Sequence, residues 1–309
     1  MTVAAAVMLA GVAMAGDKAD PAIGSWALYL PYDSMNAGHA IISRDAKGEP
    51  QALVLLRWSS PERCRKVELK GDTFKLYHPW GHIIEGKITG DEAKCTLVET
   101  RKGQVKWGPK EFIAKRNPPI DPAVSTKDAK FGAPIDLLKD GLDGFKAMNK
   151  GNFGWTCKDG VLSNRVPGGH GVNIMTKRDD FFDFRLDYDV RVPARSNSGV
   201  YLRGRYEIQT FDSYGHKPNC HNMAALYGRI TPSCAAEGKP GTWQHVTVTL
   251  YKRHLTVVLN DVTIIDNKPV DGITGGAIDA NEFVPGPLYI QGDHSDADYR
   301  NIILRPAVN

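Results

Sequence analysis

The stretch FFDFRLDYDVRV, residues 181–192, decides the fold class of this 309-residue chain. Its apolar positions are Phe182, Phe184, Leu186, Tyr188, Val190 and Val192, and they alternate with Asp and Arg. Because successive side chains of a strand point to opposite faces, this pattern predicts a strand with one buried and one charged face. Short strand patterns separated by turn signals recur along the chain, and no segment has a convincing helical period. The sequence therefore predicts an all-β protein.

A proline-rich stretch divides these strand patterns into two groups. Residues 117–130, NPPIDPAVSTKDAK, contain three prolines and no periodicity, which is typical of a linker. We predict a small antiparallel β barrel or sandwich over residues 22–116 and a two-sheet jelly roll over residues 131–309. Four tryptophans of the first domain either form a sugar-stacking surface or close the barrel core: Trp26, Trp58, Trp80 and Trp107.

The amino terminus has the character of a secretory signal peptide. Residues 1–15, MTVAAAVMLAGVAMA, are apolar and small, and they end in Ala-Met-Ala before a polar stretch. They lack a basic beginning and are too short to span a bilayer, and no later segment is long and apolar enough to do so. We expect cleavage after Ala15 and a secreted or periplasmic protein.

Five cysteines fit an exported protein with one or two disulfides. We expect the pairs Cys64–Cys95 and Cys220–Cys234, with Cys157 free and buried, although the sequence alone leaves the pairing open. In the loop-entropy model each bridge stabilises the fold by roughly 3 kcal/mol.

The charge of the chain does not favour a nucleic-acid partner. The formal net charge is +4, and the excess of Lys and Arg is scattered over the first half. Scattered basic residues are typical of solvated strand faces.

The stretch NSGVYLRGRYEIQTFD, residues 197–212, predicts a strand, a turn and a second strand with an unusual polar row. One face of the second strand carries Arg205, Glu207 and Gln209. Such a row either faces solvent or lines a cleft. Arg203 and Arg205 flank Gly204, which suits close approach of a ligand to the backbone. A regular strand would turn Asp212 away from Glu207, and a bulge between them would bring it back.

Six blocks of the second half, in order, resemble the 3-keto-disaccharide hydrolase family over about residues 131–307. The blocks are FFDFRLDYDVRV, NSGVYLRGRYEIQTFDS, AALYGRITP, KPGTWQHVTVTL, LNDVTIIDN and PGPLYIQGDHSDADYRNIILRP. That family has a concanavalin A-like lectin/glucanase jelly roll, and the first half resembles the small β domain that precedes it in some secreted members. The resemblance implies that the substrate is an oxidised saccharide or glycoside with a ketone at C3.

A ketone at C3 acidifies the C2 hydrogen, so that one base can remove it. The aglycone then leaves from C1, and water adds back. Such a site needs a base, donors for the enolate oxygen and an acid. Glu207 or His294 is the candidate base, and Asp293 is expected to orient His294. Arg203 and Arg205 are expected to stabilise the negative charge of the enolate. The remaining candidates for substrate binding are Asn197, Gln209, Asp212, Tyr227, Gln291 and Arg300.

Several of these residues have a structural alternative. Arg300 is equally suited to a structural salt bridge and Tyr227 to the core. Asp293 and His294 also fit a solvated turn in QGDHSD.

Two other functions are alternatives to the hydrolase. Laminarinase-type glucanases share the jelly roll and carry Glu-x-Asp-x-x-Glu, whereas this chain has Glu207-x-Gln209-x-x-Asp212. A retaining glycosidase needs two carboxyl groups about 5–5.5 Å apart, so Gln209 disfavours a conventional β-glucanase. A non-catalytic, lectin-like carbohydrate-binding module is the other alternative, because the same fold serves both roles.

No cofactor is expected. Asp293, Asp296 and Asp298 are candidate Ca²⁺ ligands, although without EF-hand spacing. His216, Cys220 and His221 lack a fourth ligand for a metal.

Overall fold

The computed structural model of the chain describes residues 20–102, 104–166 and 171–309. Antiparallel strands form three sheets, and the described helices are two short 3₁₀ turns, Thr126–Asp128 and Gly141–Gly144. None of the helices in the described ranges is long and apolar enough to cross a bilayer. The expected signal peptide, residues 1–15, lies outside the described residues.

The first sheet has nine strands and forms a small barrel. The strands are β1 Gly24–Tyr29, β2 Ala37–Arg44, β3 Pro50–Leu56, β4 Glu62–Arg63, β5 Lys66–Lys70, β6 Thr73–Tyr77, β7 His82–Thr89, β8 Glu92–Arg101 and β9 Gln104–Arg116. Their order is β4-β3-β2-β1-β9-β8-β7-β6-β5. Only Cys64 and Arg65 separate the edge strands β4 and β5, so the sheet must curl until its edges meet. The Cys64 amide donates to Ala52 of β3 and the Arg65 amide to Tyr77 of β6, which joins the two edges.

The barrel encloses its own apolar core, which includes Leu28, Val54, Leu76, Ile84 and Leu97. The four tryptophans do not share one role. Trp26 is fully buried in this core, and its indole N–H donates to the Ala22 carbonyl over 2.9 Å. Trp107 is half-buried, whereas Trp58 is 48% exposed and Trp80 46% exposed.

The expected disulfides are not formed. All five cysteines lie in the described residues, and all are free thiols. Cys64 and Cys95 both pack against the barrel core, and burial raises the pKa of each thiol to about 12. The pairs Cys64–Cys95 and Cys220–Cys234 were therefore wrong. Cys157 is free as expected, but only half-buried.

The second half of the chain forms a two-sheet jelly roll. Its strands are β10 Ile135–Asp136, β11 Phe145–Ala147, β12 Trp155–Lys158, β13 Val161–Asn164, β14 Ile174–Thr176, β15 Phe184–Arg191, β16 Asn197–Leu202, β17 Tyr206–Phe211, β18 Gln244–Tyr251, β19 His254–Leu259, β20 Val262–Pro269, β21 Tyr289–Ile290 and β22 Ala297–Pro306. The larger sheet runs β12-β13-β22-β15-β18-β19-β20, with β10 beside β22. The smaller sheet runs β11-β14-β21-β16-β17. The all-β prediction is confirmed.

Strand β15 has the alternation that the sequence predicted. Its residues from Phe184 to Val190 are buried at every second position, with half-buried charged residues between them. The prediction fails at the start of the stretch, where Phe182 is 40% exposed and Phe181 occupies the core instead. The strand begins only at Phe184, so the alternation does not extend back to Phe182.

Strands β16 and β17 of the smaller sheet are buried on both faces, because the barrel covers part of the outer face of this sheet. Ala27, Ala37 and Leu55 of the barrel pack in the same apolar cluster as the jelly-roll core. The segment 271–282 lies between the two parts: the Gly276 amide donates to the Arg57 carbonyl, and the Ile278 amide to that of Gly204.

Candidate functional site

An open cleft of about 440 Å³ lies where the smaller sheet meets the barrel. The sheet and the loops next to it contribute Asn197, Tyr201, Glu207, Tyr227, Tyr289, Gln291, Asp293 and His294. The barrel contributes Trp58 and Ser59, and the segment between the two parts contributes Gly275 and Gly276. Both halves of the chain therefore build this cleft.

Strand register brings the central side chains to one face. In the β16–β17 pair Tyr201 lies opposite Glu207, and in the β16–β21 pair it lies opposite Tyr289. Directly opposite residues share a face of the sheet. The rings of Tyr201 and Tyr289 stack with centroids 4.1 Å apart. The backbone N–H of Gln291 donates to the Gly199 carbonyl oxygen, which extends this face towards the loop after β21.

Glu207 lies at the floor of the cleft and is 3% exposed. Gly199 lies against its side chain, and a Cβ there would collide with the Glu207 carboxyl group. Burial, and then the negative charge of Asp293, raise the pKa of Glu207 to about 8, against the Tyr201 hydrogen bond, which lowers it. A carboxyl group titrating near neutral pH can give or take a proton under physiological conditions.

The Tyr201 hydroxyl lies between two acceptors, 2.8 Å from Oε2 of Glu207 and 2.9 Å from the Gly275 carbonyl oxygen. One hydroxyl proton serves one acceptor at a time. When Glu207 is ionised, Tyr201 donates to it. When Glu207 is protonated, its carboxyl group can donate to the hydroxyl oxygen while Tyr201 donates to Gly275. The arrangement thus accommodates both protonation states of Glu207.

Asp293 and His294 form a hydrogen-bonded pair at the cleft. Nδ1 of His294 is 2.7 Å from Oδ1 of Asp293, and the side-chain amide of Asn173 donates to Oδ2 of Asp293 over 3.1 Å. Burial raises the pKa of the Asp293 carboxyl, but the hydrogen bonds from His294 and Asn173 outweigh burial and leave that pKa below its usual value. The hydrogen bond to Asp293 in turn raises the pKa of His294, against its burial.

Two side-chain oxygens of cleft residues have no hydrogen-bond partner among the described residues, Oδ1 of Asn197 and Oε1 of Gln291. An unpaired buried acceptor costs free energy that a donor from a ligand can recover. Both oxygens are therefore suited to hydroxyl groups.

Arg203 and Arg205, expected beside an enolate, do not line the cleft. Both belong to the turn between β16 and β17, where Arg203 has a positive φ of 53°. Arg205 forms a two-point ion pair with Asp279, at 2.6 and 3.1 Å. Arg203 is buried over the Phe182 and Tyr206 rings. Their guanidinium groups are committed to structural contacts, and the expected convergence on the cleft was wrong.

Gln209 and Asp212 also lie outside the cleft lining. Strand β17 pairs with β16 in regular register from Tyr206 to Phe211, so the bulge expected after Glu207 is absent. Gln209 is buried two residues further along the strand, and Asp212 accepts a hydrogen bond from the Arg195 amide over 2.8 Å. Asp212 therefore does not supply a second carboxyl group to the cleft.

Arg300 lies on the larger sheet, in strand β22. Its Nε donates to Asp189 over 3.0 Å, and its guanidinium stacks on Trp243 at 4.2 Å. It belongs to the charged outer face of that sheet, so the salt-bridge alternative describes it.

The candidate metal ligands are occupied by other contacts. Asp298 accepts hydrogen bonds from Arg165 and Arg191, and Asp296 lies 3.8 Å from Arg165. Nε2 of His221 is 2.7 Å from the Ser60 hydroxyl. Within the described ranges, no group of three or more His, Cys, Asp and Glu side chains is arranged around a common metal position.

Sequence reasoning missed Tyr201, Tyr289, Asn173 and the barrel residue Ser59, and it named Trp58 only as one of four tryptophans suited either to sugar stacking or to the barrel core. Tyr201 carried a usable signal, because a hairpin centred on Gly204 places it opposite Glu207. Ser59 carried none, because the docking of one domain on another leaves no periodic pattern.

Residues 135–305 match the model of the family described as the 3-keto-alpha-glucoside-1,2-lyase-like domain. The chain belongs to this family. The match confirms the resemblance seen in the sequence blocks and makes the chain a carbohydrate-acting protein. A comparison with curated proteins gave no significant match.

The fold is similar to several solved structures. Two candidate glycosyl hydrolases from Parabacteroides distasonis are 26% and 24% identical, with TM-scores of 0.46 and 0.45. The alignments cover 56% and 57% of this chain and 83% and 100% of the other chains. A non-specific endo-beta-1,3(4)-glucanase is 9% identical, with a TM-score of 0.37 and coverage of 61% and 94%.

Proposed function

We propose that this protein cleaves the glycosidic C1–O bond of 3-keto-α-glucosides by elimination in the cleft beside Glu207. Family membership supports the substrate class. The observation that carries the proposal is the buried Glu207 carboxyl group with a pKa of about 8, facing an open cleft.

The reaction balances without a cofactor. A base takes the C2 proton, and the electron pair of the C2–H bond forms an enolate with the C3 ketone. The enolate then collapses: the C3 carbonyl re-forms, a C1=C2 double bond appears and the C1–O bond breaks. The leaving oxygen takes up a proton and departs as an alcohol. Addition of water across C1=C2 gives the saturated 3-keto sugar.

We assign Glu207 as the base. Taking the C2 proton converts its carboxylate into the neutral acid, and burial favours the neutral form. Tyr201 can follow the change by turning its proton to the Gly275 carbonyl, as its two short contacts allow. Tyr201 and the Gly275 carbonyl therefore stabilise protonated Glu207 after proton abstraction without further rearrangement.

We assign His294 as the acid. In the chair form of an α-glucoside, the C2–H and C1–O bonds are axial and point to opposite faces of the ring, so base and acid must approach from different sides. His294 lines the cleft but belongs to the loop after β21, whereas Glu207 belongs to β17. The contact with Asp293 favours the imidazolium form, which has a proton to give.

The test is incubation with a 3-keto-α-glucoside and with the same glucoside unoxidised, both in deuterated water. We expect release of the aglycone from the ketone only, with deuterium at C2 of the recovered keto sugar. Equal cleavage of the unoxidised glucoside would refute the elimination. Binding of the ketone without any turnover would instead favour the carbohydrate-binding alternative.

A further inference from the structure

A row of aromatic and basic side chains leads from the cleft across the surface of the barrel. The Arg57 guanidinium lies 4.8 Å from the Trp58 ring centroid and 5.1 Å from that of Tyr32. Tyr32 in turn stacks with Trp107, with centroids 5.8 Å apart and ring planes at 21°. We call these four residues the barrel row.

The barrel row lines two hollows. Trp58 lines the cleft that contains Glu207. Arg57, Tyr32 and Trp107 line a neighbouring hollow of about 310 Å³, which also contains Lys110. Because Arg57 and Trp58 are consecutive and in contact, the two hollows lie side by side on the surface.

The loop that carries Trp58 is held in a specific conformation. Arg57 and Ser59 have positive φ values of 51° and 69°, which are costly for residues other than glycine. The Gly276 amide donates to the Arg57 carbonyl over 2.8 Å, and a Cβ on Gly275 would collide with the Ser59 carbonyl. This fixed loop presents a tryptophan that is 48% exposed at the edge of a cleft.

We propose that the barrel row binds further sugar rings on the leaving-group side of the substrate. The inference rests on the proposed function for the identity of the leaving group. Pyranose rings present an apolar C–H face that suits an indole or phenol ring, and their hydroxyl groups accept hydrogen bonds from Arg57 and Lys110. The favoured substrate is then a saccharide longer than a disaccharide, with its oxidised ring beside Glu207.

The test measures binding by calorimetry on the full chain, with unoxidised α-linked gluco-oligosaccharides of two to five rings. These probes lack the ketone, so their affinity does not depend on turnover. Affinity should rise with ring number. Trp58→Ala should weaken binding of the longest probe by roughly tenfold, a loss typical for truncation of an interface tryptophan. Trp58→Phe should keep most of the affinity.

Trp80 provides the matched control, because it is an equally exposed barrel tryptophan, 46% exposed, outside both hollows. Trp80→Ala should bind every probe as the wild type does. Affinity that does not change with ring number, or an equal loss in Trp80→Ala, would overturn the proposal. So would an aryl glucoside that binds as tightly as the longest probe and is equally sensitive to Trp58→Ala.

The two proposals fail in different ways. Length-dependent binding that Trp58→Ala weakens, together with an inert 3-keto-glucoside, would support the barrel row and refute the elimination. Turnover of the ketone with no length dependence would do the reverse.

Discussion

Oε2 of Glu207 lies 2.8 Å from the Tyr201 hydroxyl, and the same hydroxyl reaches the Gly275 carbonyl oxygen at 2.9 Å. The Gly276 amide donates in turn to Arg57 of the barrel. The carboxyl group assigned to proton transfer is thus linked through three short contacts to the other domain. The protonation of Glu207 can be tested directly by experiment.

Glu207→Gln keeps the size of the side chain but removes the base. We expect turnover of a 3-keto-α-glucoside to fall by roughly 10²–10⁴-fold, the usual contribution of a general base, while the substrate still binds. Glu237→Gln is the control, because Glu237 lies outside the cleft and bonds to Ser213. Full activity of Glu207→Gln would contradict the assignment.

Exchange at C2 distinguishes the base from the acid. A 1,5-anhydro-3-keto sugar has no leaving group at C1 and cannot eliminate, yet its C2 hydrogen can still exchange with deuterated water. We expect exchange to be lost in Glu207→Gln and retained in His294→Gln, because only the base acts on C2. The reverse pattern, followed by proton NMR, would make His294 the base.

The raised pKa of Glu207 also predicts how stability depends on pH. In the folded state Glu207 keeps its carboxyl proton up to about pH 8, whereas in an unfolded chain its pKa is the ordinary glutamate value of 4.5. Stability from Glu207 is therefore present below the unfolded pKa and is lost as pH rises through the folded pKa. Glu207→Gln, which stays neutral, should gain stability relative to the wild type, on the order of a few kcal/mol between those values.

Urea unfolding at pH 4, 6, 8 and 9 tests this expectation without any substrate. The difference between variant and wild type should grow up to about pH 8 and then level off. A difference that is constant over this range would mean that Glu207 titrates normally.

Removing the charge of Asp293 should move the pH profile of kcat/KM as a whole. That charge raises the pKa of both Glu207 and His294. In Asp293→Asn both pKa values fall, so both limbs should shift to lower pH. Tyr201→Phe removes a hydrogen bond that lowers the pKa of Glu207, so the limb reporting Glu207 should move to higher pH. Shifts in the same direction for both variants would contradict this account.

The interface between barrel and jelly roll contains a buried carboxyl group, Glu282. It accepts hydrogen bonds from Tyr206 and Asn117, each at 2.7 Å, and lies 3.9 Å from His39. Glu282→Ala removes a buried acceptor from the Tyr206 hydroxyl and the Asn117 side-chain amide and should cost about 3 kcal/mol of unfolding free energy. The exposed Glu85→Ala, which breaks a surface pair with Lys75, should cost less than about 1 kcal/mol. Similar losses in chemical denaturation would argue against a tightly packed interface.

The sequence predicted the strands well, because alternation is a local property. Strand β15 shows it directly, from Phe184 onwards. The sequence left open whether the first domain is a barrel or a sandwich, because the two-residue strand β4 has no periodic pattern from which the strand order could be predicted.

The candidate site was predictable only in part. Glu207, Gln291, Asp293 and His294 do line one cleft, because Glu207 belongs to β17 and the other three to the loop after β21, and both strands flank the same part of the smaller sheet on either side of β16. Arg205 shows why the rest of the site was not predictable. The alternation of strand residues predicted that Arg205 lies beside Glu207, but the strand starts only at Tyr206, and the Arg205 guanidinium forms an ion pair with Asp279. Partners 74 residues away in sequence leave no local signal.

The family match spans residues 135–305, yet Trp58 and Ser59 at the cleft come from outside that span. The family domain is thus smaller than the part of the chain that lines the cleft and would contact a substrate. Chains that share the jelly roll but carry a different amino-terminal neighbour should then keep one chemistry and differ in the leaving groups they accept. Exchanging barrels between such chains would be a way to transplant substrate preference without touching a single residue of the family domain.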